Sequence, residues 1–369
     1  MAHDPVPVSV LTGFLGAGKT TLLNRLLKDS SLADTAVIIN EFGDVAIDHL
    51  LVEQSSDGIV QLSDGCLCCT VRGDLVDTLA DLIERRDDGR IARLSRVVVE
   101  TTGLADPAPV LQSIMGHPVL LQTFRLDGVI TVVDAVNGNA TLDNHVEAVK
   151  QVAVADRILL SKLDLAEPQA LAALKARLAA LNPNAAVADV SEAGAALLSA
   201  GLYDPATKTA DVRRWLGEAA HDHHDHDHHD HDHDEHHHHH AHSRHDARIR
   251  SHTLMHDRPL PFAAIETFID LLRSAHGERL LRMKGIVELA EDPSRPLVLH
   301  GVQALFHPPA RLPAWPDATR GTRIVLITMD MPEDYVRRLF AAIAGQPSID
   351  TPDRAALADN PLAIAGFRG

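Results

Sequence analysis

The chain has 369 residues, which allows two domains with separate cores, and 45% of its residues are hydrophobic, as in ordinary globular proteins. No run of about 18 apolar residues occurs, so neither a membrane-spanning helix nor a membrane partner is expected. The formal net charge of −17 argues against a nucleic-acid partner bound through its phosphates. Because the first residues show no signal-peptide pattern, a reduced, cytoplasmic location is the simplest expectation.

The first half of the chain alternates strand-like and helix-like segments. Its apolar runs are typical of buried parallel strands, which are predicted at 6–12, 36–40, 96–100, 128–134 and 157–162. Between them, helical periodicity predicts helices that include 19–29 and 75–86. This alternation predicts an α/β fold with a mostly parallel sheet and helices on both of its faces.

The composition changes abruptly at residues 221–245. This segment consists almost entirely of His and Asp, with Ala241 as its only apolar residue, so it cannot build a core and is predicted to be a disordered linker. Beyond it, a small α+β domain is predicted, with strands at 247–255, 279–289, 296–306 and 322–329 and helices at 261–275 and 332–345.

The segment GFLGAGKT, residues 13–20, matches the phosphate-loop pattern G-x-x-x-x-G-K-[ST] between a predicted strand and a predicted helix. In this pattern the glycines let backbone N–H groups surround phosphate oxygens, and the helix N-terminus adds a partial positive charge. Lys19 would reach the β- and γ-phosphates, and the Thr20 hydroxyl would bind Mg²⁺. The predicted nucleotide contacts in this segment are Gly13, Gly16, Ala17, Gly18, Lys19, Thr20 and Thr21.

An acidic residue ends two of the predicted buried strands. Glu100 ends VVVE, and Gly103 lies three positions later. Glu100 could act on Mg²⁺ through water while the Gly103 N–H senses the γ-phosphate. Asp134, which ends VITVVD, is a rival for the acidic role, since an acid at a strand end is also a common turn residue. The glycine spacing favours Glu100.

The tetrapeptide SKLD, residues 161–164, is similar to the N-K-x-D motif that recognises guanine, with Ser161 in the place of Asn. Asp164 would accept hydrogen bonds from guanine N1–H and from the 2-amino group, which adenine cannot donate. The stem of Lys162 would lie along the base. Downstream of a complete phosphate loop, this motif predicts GTP rather than ATP as the nucleotide.

All three cysteines of the chain lie in GCLCCT, residues 65–70. Neighbouring cysteines seldom reach disulfide geometry without strain, and three thiols cannot pair off within one chain. Burial as small apolar residues is an alternative. Their clustering favours Cys66, Cys68 and Cys69 as thiolate ligands of a soft ion such as Zn²⁺ or Cu⁺, with one tetrahedral position left open for exchange.

The segment NEFGD, residues 40–44, lies between the first predicted helix and the cysteines, where a nucleotide-sensing switch is expected. Glu41 or Asp44 could supply the fourth metal ligand, as could water. Glu41 could instead contact Mg²⁺ or the attacking water, or be a solvated loop residue. The predicted catalytic residues are Lys19, Thr20, Glu41 and Glu100.

The histidines of the linker are further candidate metal ligands, because neutral imidazole binds zinc, nickel and cobalt. A flexible tract would bind several ions weakly and raise their local supply. The alternative is a solvated acidic linker without a metal role. The predicted auxiliary ligands are His221, His223, His224, His226, His228, His229, His231 and His233.

Together these segments resemble the CobW-type GTPase family of metallochaperones. The resemblance rests on TGFLGAGKTTLLN, NEFGD, GCLCCT, VVVETTGLADP, SKLDL, the His-rich segment, RMKGIVEL and LHGVQ. It implies a phosphate-loop GTPase domain over 1–218, a His/Asp-rich linker over 219–246 and a CobW C-terminal domain over 247–369. It also implies GTP hydrolysis coupled to delivery of a metal, commonly zinc and in some branches cobalt, to a client protein.

Other interpretations stay open. The chain could be a cobalt chaperone linked to cobalamin synthesis, a metal buffer or storage protein, or a phosphotransferase, although SKLD disfavours the ATP preference of the last. A nucleotide- or metal-dependent dimer is compatible with all of them. The C-terminal domain shows no catalytic constellation, and Arg282, Lys284 and His300 could equally be surface residues or client contacts.

Overall fold

The computed structural model describes residues 5–32, 34–40, 59–62, 71–91, 93–192, 194–198, 215–216, 246–316, 318–332 and 334–345. Within these ranges the chain forms two β-sheets with helices packed against them. Among the described residues, none of the helices combines the length and the apolar character that crossing a bilayer would require.

The first sheet is parallel throughout. Its strands are β1 (Val6–Thr12), β2 (Thr35–Asn40), β3 (Ile59–Leu62), β4 (Arg96–Thr101), β5 (Phe124–Asp134), β6 (Arg157–Ser161) and β7 (Ala186–Asp189). They pair in the order β3-β2-β4-β1-β5-β6-β7. The accompanying helices are α1 (Lys19–Leu26), α2 (Val71–Asp87), α3 (Ala108–Gly116), α4 (Leu120–Thr123), α5 (Gly138–Asn144), α6 (Val146–Ala153) and α7 (Pro168–Leu181). The predicted α/β fold is confirmed; the short strands β3 and β7 were not predicted.

Both faces of this sheet are covered, which explains why its strands are continuous apolar runs. Val97 and Val99 of β4 pack into one core with α2, α3 and α6. Val98, between them, points into a second core with α1. Because parallel strands place all their carboxyl ends at one edge, the residues after β1, β4 and β6 are brought together there. This edge carries the phosphate loop, Glu100 and Ser161.

The second sheet is antiparallel. Its strands are β8 (Ile249–His256), β9 (Leu280–Val287), β10 (Leu297–Val302), β11 (Leu305–Phe306), β12 (Ala310–Arg311) and β13 (Thr322–Met329). They pair in the order β11-β10-β9-β13-β8, and β12 adds to β10. Two helices, α8 (Phe262–His276) and α9 (Tyr335–Ile343), cover one face and share a core with it. The predicted α+β architecture of this part is confirmed.

The two sheets are connected through the face of the second sheet that α8 and α9 leave open. Ile249, Leu281 and Ile327 belong to the same apolar cluster as the helices of the first sheet. On α3, Gln112 Nε2 donates a hydrogen bond to Gln303 Oε1 at 2.7 Å. One continuous core therefore joins the two parts of the molecule.

Asp246, the last residue of the predicted linker, begins a single 3₁₀ turn before β8. Its carboxylate forms an ion pair with Arg177 of α7 at 2.6 Å. The rest of the predicted linker, 219–245, lies outside the described residues, and the domain boundaries stay a prediction.

A buried ion cluster crosses the contact between the two sheets. Asp156, just before β6, accepts hydrogen bonds from Arg282 Nη2 at 2.9 and 2.8 Å and forms an ion pair with Lys284. Arg282 and Lys284 are only 4% and 7% exposed, so the expectation that they lie on the surface or meet a client is wrong. The reason is that β9 is buried along its whole length, and its cations pair with a buried carboxylate instead of water.

The same cluster sets the charge of its members. Burial alone would raise the pKa of Asp156, but the positive charges of Arg282 and Lys284 outweigh it and hold this pKa well below its usual value. Burial, followed by the charge of Arg282, lowers the pKa of His300 well below its usual value, so the imidazole is neutral. Trp215 completes the cluster: Lys284 Nζ donates to its carbonyl at 2.9 Å and lies over its ring, which meets His300 edge-on.

Candidate functional site

The phosphate-loop segment joins β1 to α1, as predicted. Gly13, Gly16 and Gly18 have positive φ angles of 139°, 72° and 94°, which residues with a Cβ rarely adopt. At Gly13 a Cβ would also come within 2.3 Å of the carbonyl oxygen of Val132 on β5. The glycines therefore let the loop turn tightly over the end of the sheet, with its N–H groups available for an anion at the start of α1.

Lys19 lies at the first position of α1 and is 8% exposed. Its ammonium donates a hydrogen bond to the Gly13 carbonyl at 2.9 Å and approaches the Phe14 carbonyl at 3.4 Å. The amine thus lies against the loop that it follows. Of the other predicted loop contacts, Ala17 is buried and Thr21 is exposed on α1.

Thr20 and Glu100 are in direct contact. The Thr20 hydroxyl donates to Glu100 Oε1 at 2.8 Å, and Glu100 is 1% exposed at the end of β4. The next residue, Thr101, donates to the Thr12 hydroxyl at 2.8 Å and so fixes β4 against β1. A hydroxyl and a carboxylate in contact beside a phosphate loop form a donor set of hard oxygens that fits Mg²⁺.

Asp134, the other candidate for the acidic role near Mg²⁺, makes its hydrogen bonds with the turn after β5 and with Lys162. It accepts hydrogen bonds from the backbone of Val136 and Asn137 and from Lys162 Nζ at 2.6 Å. Burial raises the pKa of Asp134, but these hydrogen bonds outweigh it, so its pKa is lowered and the carboxylate stays charged. The described contacts bring Glu100 to Thr20 and keep Asp134 with the turn after β5.

Gly103 approaches the phosphate loop closely. A Cβ at this position would lie 2.5 Å from the backbone nitrogen of Leu15 and 2.7 Å from its side chain. The glycine therefore brings the backbone of residues 100–103, which we call the E-x-x-G segment, against the phosphate loop, where an N–H group could meet a terminal phosphate.

We expect Gly103→Ala to lower the free energy of unfolding by about 1–3 kcal/mol, because either the loop or the segment must move to admit the methyl group. Urea unfolding measures this loss. Gly89→Ala is the control: its Cβ would meet nothing within 4 Å, and only the cost of its positive φ, about 1 kcal/mol, is expected. A Gly103→Ala protein as stable as wild type would contradict the close approach.

The SKLD motif begins at Ser161, the last residue of β6, beside the phosphate loop. The Ser161 hydroxyl donates to the Ala17 carbonyl at 2.7 Å, which ties this motif to the phosphate loop even though Ser stands in the place of Asn. Lys162 has a left-handed φ of 58°. Asp164 lies exposed in the 3₁₀ turn Leu163–Leu165, with its carboxylate open to a ligand.

A cavity of about 270 Å³ lies between the phosphate loop, the end of β5 and helices α5 and α6. Phe14, Asp134, Gln151 and Lys162 are among the residues that line it. Phe14 also stacks on His145 at the start of α6, with 4.3 Å between ring centroids.

Two contributors to this site, Gln151 and His145, were not predicted from the sequence. Gln151 is 1% exposed on α6 and contacts the segment after β4. The only local signal is a polar residue among the apolar positions of an amphipathic helix, which does not reveal its partner.

The remaining predicted site residues lie outside the described part of the chain. They are the thiol ligands, the acids of the NEFGD segment and the auxiliary histidines, namely Cys66, Cys68, Cys69, Glu41, Asp44, His221, His223, His224, His226, His228, His229, His231 and His233. Within the residues that the structure describes, no group of three His, Cys, Asp or Glu side chains could hold a metal.

Two protein-family models match the chain. The model described as CobW/HypB/UreG, nucleotide-binding domain, matches residues 7–189, which hold the parallel sheet and the phosphate loop. The model described as cobalamin synthesis protein cobW C-terminal domain matches residues 249–344, which hold the antiparallel sheet. Fold and site together define a phosphate-loop nucleotide-binding protein.

Zinc chaperone YjiA of Escherichia coli (strain K12) is 34% identical over 346 residues, which span 92% of this chain and 99% of YjiA. The chain belongs to the CobW family. Zinc chaperone CobW of a Sinorhizobium species is 31% identical over 381 residues, spanning 92% of this chain and 97% of that relative. The crystal structure of Zn(II)-bound YjiA GTPase from E. coli is similar with a TM-score of 0.65 at 30% identity, covering 92% of this chain and 99% of that one.

Proposed function

We propose that this protein is a GTP-hydrolysing metallochaperone that binds zinc at its C-x-C-C segment and transfers it to client proteins. The observation that carries the proposal is the 2.8 Å contact between Thr20 and Glu100. This contact joins the phosphate loop to the E-x-x-G segment, so binding of a nucleotide at the loop can change the position of the segment. The names of the relatives, zinc chaperones and a Zn(II)-bound GTPase, support the metal cargo and the hydrolysis.

The nucleotide half of the proposal assigns roles to residues around the phosphate loop. Lys19 contacts the β- and γ-phosphates, and Thr20 and Glu100 hold Mg²⁺, Glu100 through water. When bound, Mg²⁺ neutralises the charge that develops on the phosphates during hydrolysis. The Gly103 N–H binds the γ-phosphate and is the group that distinguishes GTP from GDP.

Within the nucleotide half, recognition of the base rests on SKLD. Asp164 accepts the two guanine donors, and the Lys162 stem covers the base. Ser161 acts on the pocket indirectly, because its hydroxyl supports the Ala17 carbonyl of the phosphate loop. An ATP-dependent phosphotransferase would leave Asp164 without donors.

The metal half of the proposal rests on the thiols. Cys66, Cys68 and Cys69 bind the ion as thiolates, which favours zinc while leaving cobalt as the alternative cargo. Water, Glu41 or Asp44 completes a tetrahedral site that stays open to exchange. The histidines between 221 and 233 act as weak auxiliary ligands. Free thiolates of this kind require a reducing compartment, so we propose a cytoplasmic location.

Coupling between the two halves gives the delivery cycle. GTP and Mg²⁺ order the switch segments that respond to the γ-phosphate, and this assembles the thiolate site. The metal binds tightly in that state. Hydrolysis removes the γ-phosphate contacts, and the metal leaves for a client. By reciprocity, bound metal must tighten GTP binding by the same factor. We also propose that the protein can form a dimer whose formation depends on nucleotide or on metal.

The coupling is tested by measuring zinc affinity with a non-hydrolysable GTP analogue and with GDP. We expect zinc to bind about tenfold more tightly with the analogue, within the usual range of allosteric coupling. Replacing all three cysteines by serine should abolish this response, whereas deleting residues 221–245 should lower metal stoichiometry and preserve it. Equal zinc affinity in both nucleotide states would instead favour a metal buffer or storage protein.

A further inference from the structure

Helix α6 contacts the segment from Gly103 to Ala105 through the buried side-chain amide of Gln151. Gln151 Nε2 donates one hydrogen bond to the Gly103 carbonyl at 3.1 Å and a second to the Ala105 carbonyl at 3.0 Å. Gln151 is 1% exposed, so these bonds form away from solvent. Both amide hydrogens are thus used on two carbonyls that bracket the turn after Gly103.

The orientation of this amide follows from its partners. Rotating it by half a turn would place Oε1 against two carbonyl oxygens, so the nitrogen must face the segment. The two donated bonds are the contacts that an apolar side chain at this position of α6 would lack.

Helix α6 is itself well anchored at this point. The backbone carbonyl of Gln151 accepts a hydrogen bond from the Thr131 hydroxyl of β5 at 2.7 Å. The preceding residue, Lys150, forms an ion pair with Asp106 at 2.8 Å. Two successive residues of a fixed helix therefore hold the segment from Gly103 to Asp106 against the sheet.

We propose that Gln151 is a positioning residue that, by holding the carbonyls of Gly103 and Ala105, keeps the Gly103 N–H at the distance from the phosphate loop that γ-phosphate binding requires. Gly103 has little freedom there, since a Cβ would already lie 2.5 Å from Leu15 N. A displacement of about 1 Å is enough to cost a large part of such a contact. This inference rests on the proposed function, in which the Gly103 N–H distinguishes GTP from GDP.

The test compares Gln151→Met with wild type in their affinity for a non-hydrolysable GTP analogue and for GDP. Methionine keeps the length of the side chain and removes both donors. We expect affinity for the analogue to fall about tenfold, equivalent to about 1.4 kcal/mol, with GDP affinity changed by less than about threefold. A residue that only supported the fold would lower both affinities together.

Asn182 offers a matched control. Its buried amide donates to the carbonyls of Val152, Ala153 and Ala155, at the C-terminal end of α6 and directly after Gln151, and none of these bonds reaches the segment that Gln151 holds. Asn182→Leu removes donors of the same kind away from the phosphate loop, so it should cost stability without changing the ratio of the two affinities.

The outcomes separate the two proposals. If wild type binds the analogue and GDP equally, γ-phosphate sensing at Gly103 fails, and the role of Gln151 fails with it. If wild type discriminates and Gln151→Met discriminates equally well, only the role of Gln151 is overturned. If Gln151→Met does not fold, hydrogen exchange of the wild-type protein is measured instead. We expect the amides from Gly103 to Asp106 to be better protected from exchange with the analogue than with GDP. Equal protection overturns the inference.

Discussion

Replacing Asp156 by asparagine is expected to lower the free energy of unfolding by about 3–5 kcal/mol, because it leaves two buried cations without their counter-charge. Arg282 and Lys284 both pair with this carboxylate, and the side chains of all three residues are at most 8% exposed. Urea unfolding followed by tryptophan fluorescence measures the loss, since Trp215 lies against Lys284.

Asp330→Asn is the control for this prediction. Asp330 forms an ion pair with Arg248 in which both side chains are more than 40% exposed. Exposed pairs contribute little, so a loss of at most about 1 kcal/mol is expected. Similar losses of stability in the two variants would show that the buried ion cluster around Asp156 contributes no more than an exposed ion pair.

The pH dependence provides a second check on Asp156. Because its pKa is lowered in the folded protein, its contribution is complete above the unfolded-state pKa of about 3.9 and is lost as the pH falls below that value. The stabilities of wild type and Asp156→Asn should therefore differ most at neutral pH and converge in acid. A difference that is constant from neutral pH into acid would contradict the charge-based explanation.

Asp156 also connects the two sheets of the molecule. Its Oδ2 accepts a hydrogen bond from the backbone of Val129 on β5 at 2.7 Å, so one carboxylate connects the parallel sheet to β9 of the antiparallel sheet. Three residues after α6 ends, it also links the helix that carries Gln151 to the C-terminal part of the chain.

Replacing Lys19 by methionine is expected to lower kcat/KM for GTP by about 10²–10³-fold, the usual loss when one preorganised donor to a developing charge is removed. Its ammonium is already held against the Gly13 and Phe14 carbonyls, so little reorganisation is needed when phosphates bind. Phosphate release under steady-state conditions measures the effect.

Lys28→Met is the control for Lys19. Lys28 is exposed just beyond α1, and its substitution removes the same charge at a distance from the phosphate loop. It should leave GTP turnover within about twofold of wild type, because exposed charges are screened by salt. Turnover by Lys19→Met at the wild-type rate would mean that the phosphate loop does not serve hydrolysis.

The amino-acid sequence by itself determined the features whose physics is local. Strands β1, β2, β4, β5 and β6 of the parallel sheet could be predicted because burial on both faces demands an unbroken apolar run, whereas the short strands β3 and β7 were missed. The phosphate loop could be predicted because its glycines, its lysine and its hydroxyl act within eight consecutive positions, and the positive φ angles of Gly13, Gly16 and Gly18 agree with that assignment.

Only the tertiary structure decided which distant polar groups meet. Asp156 and Arg282 are 126 positions apart, and Gln151 and Gly103 are 48 apart, so no local pattern connects them. From sequence Arg282 could equally belong to the surface, since charged residues are normally solvated. It is buried because β9 is covered on both faces, and a charge in that position is stable only when packing brings it a carboxylate. The partner of a polar side chain is fixed by which elements pack together, and that information is spread over the whole chain.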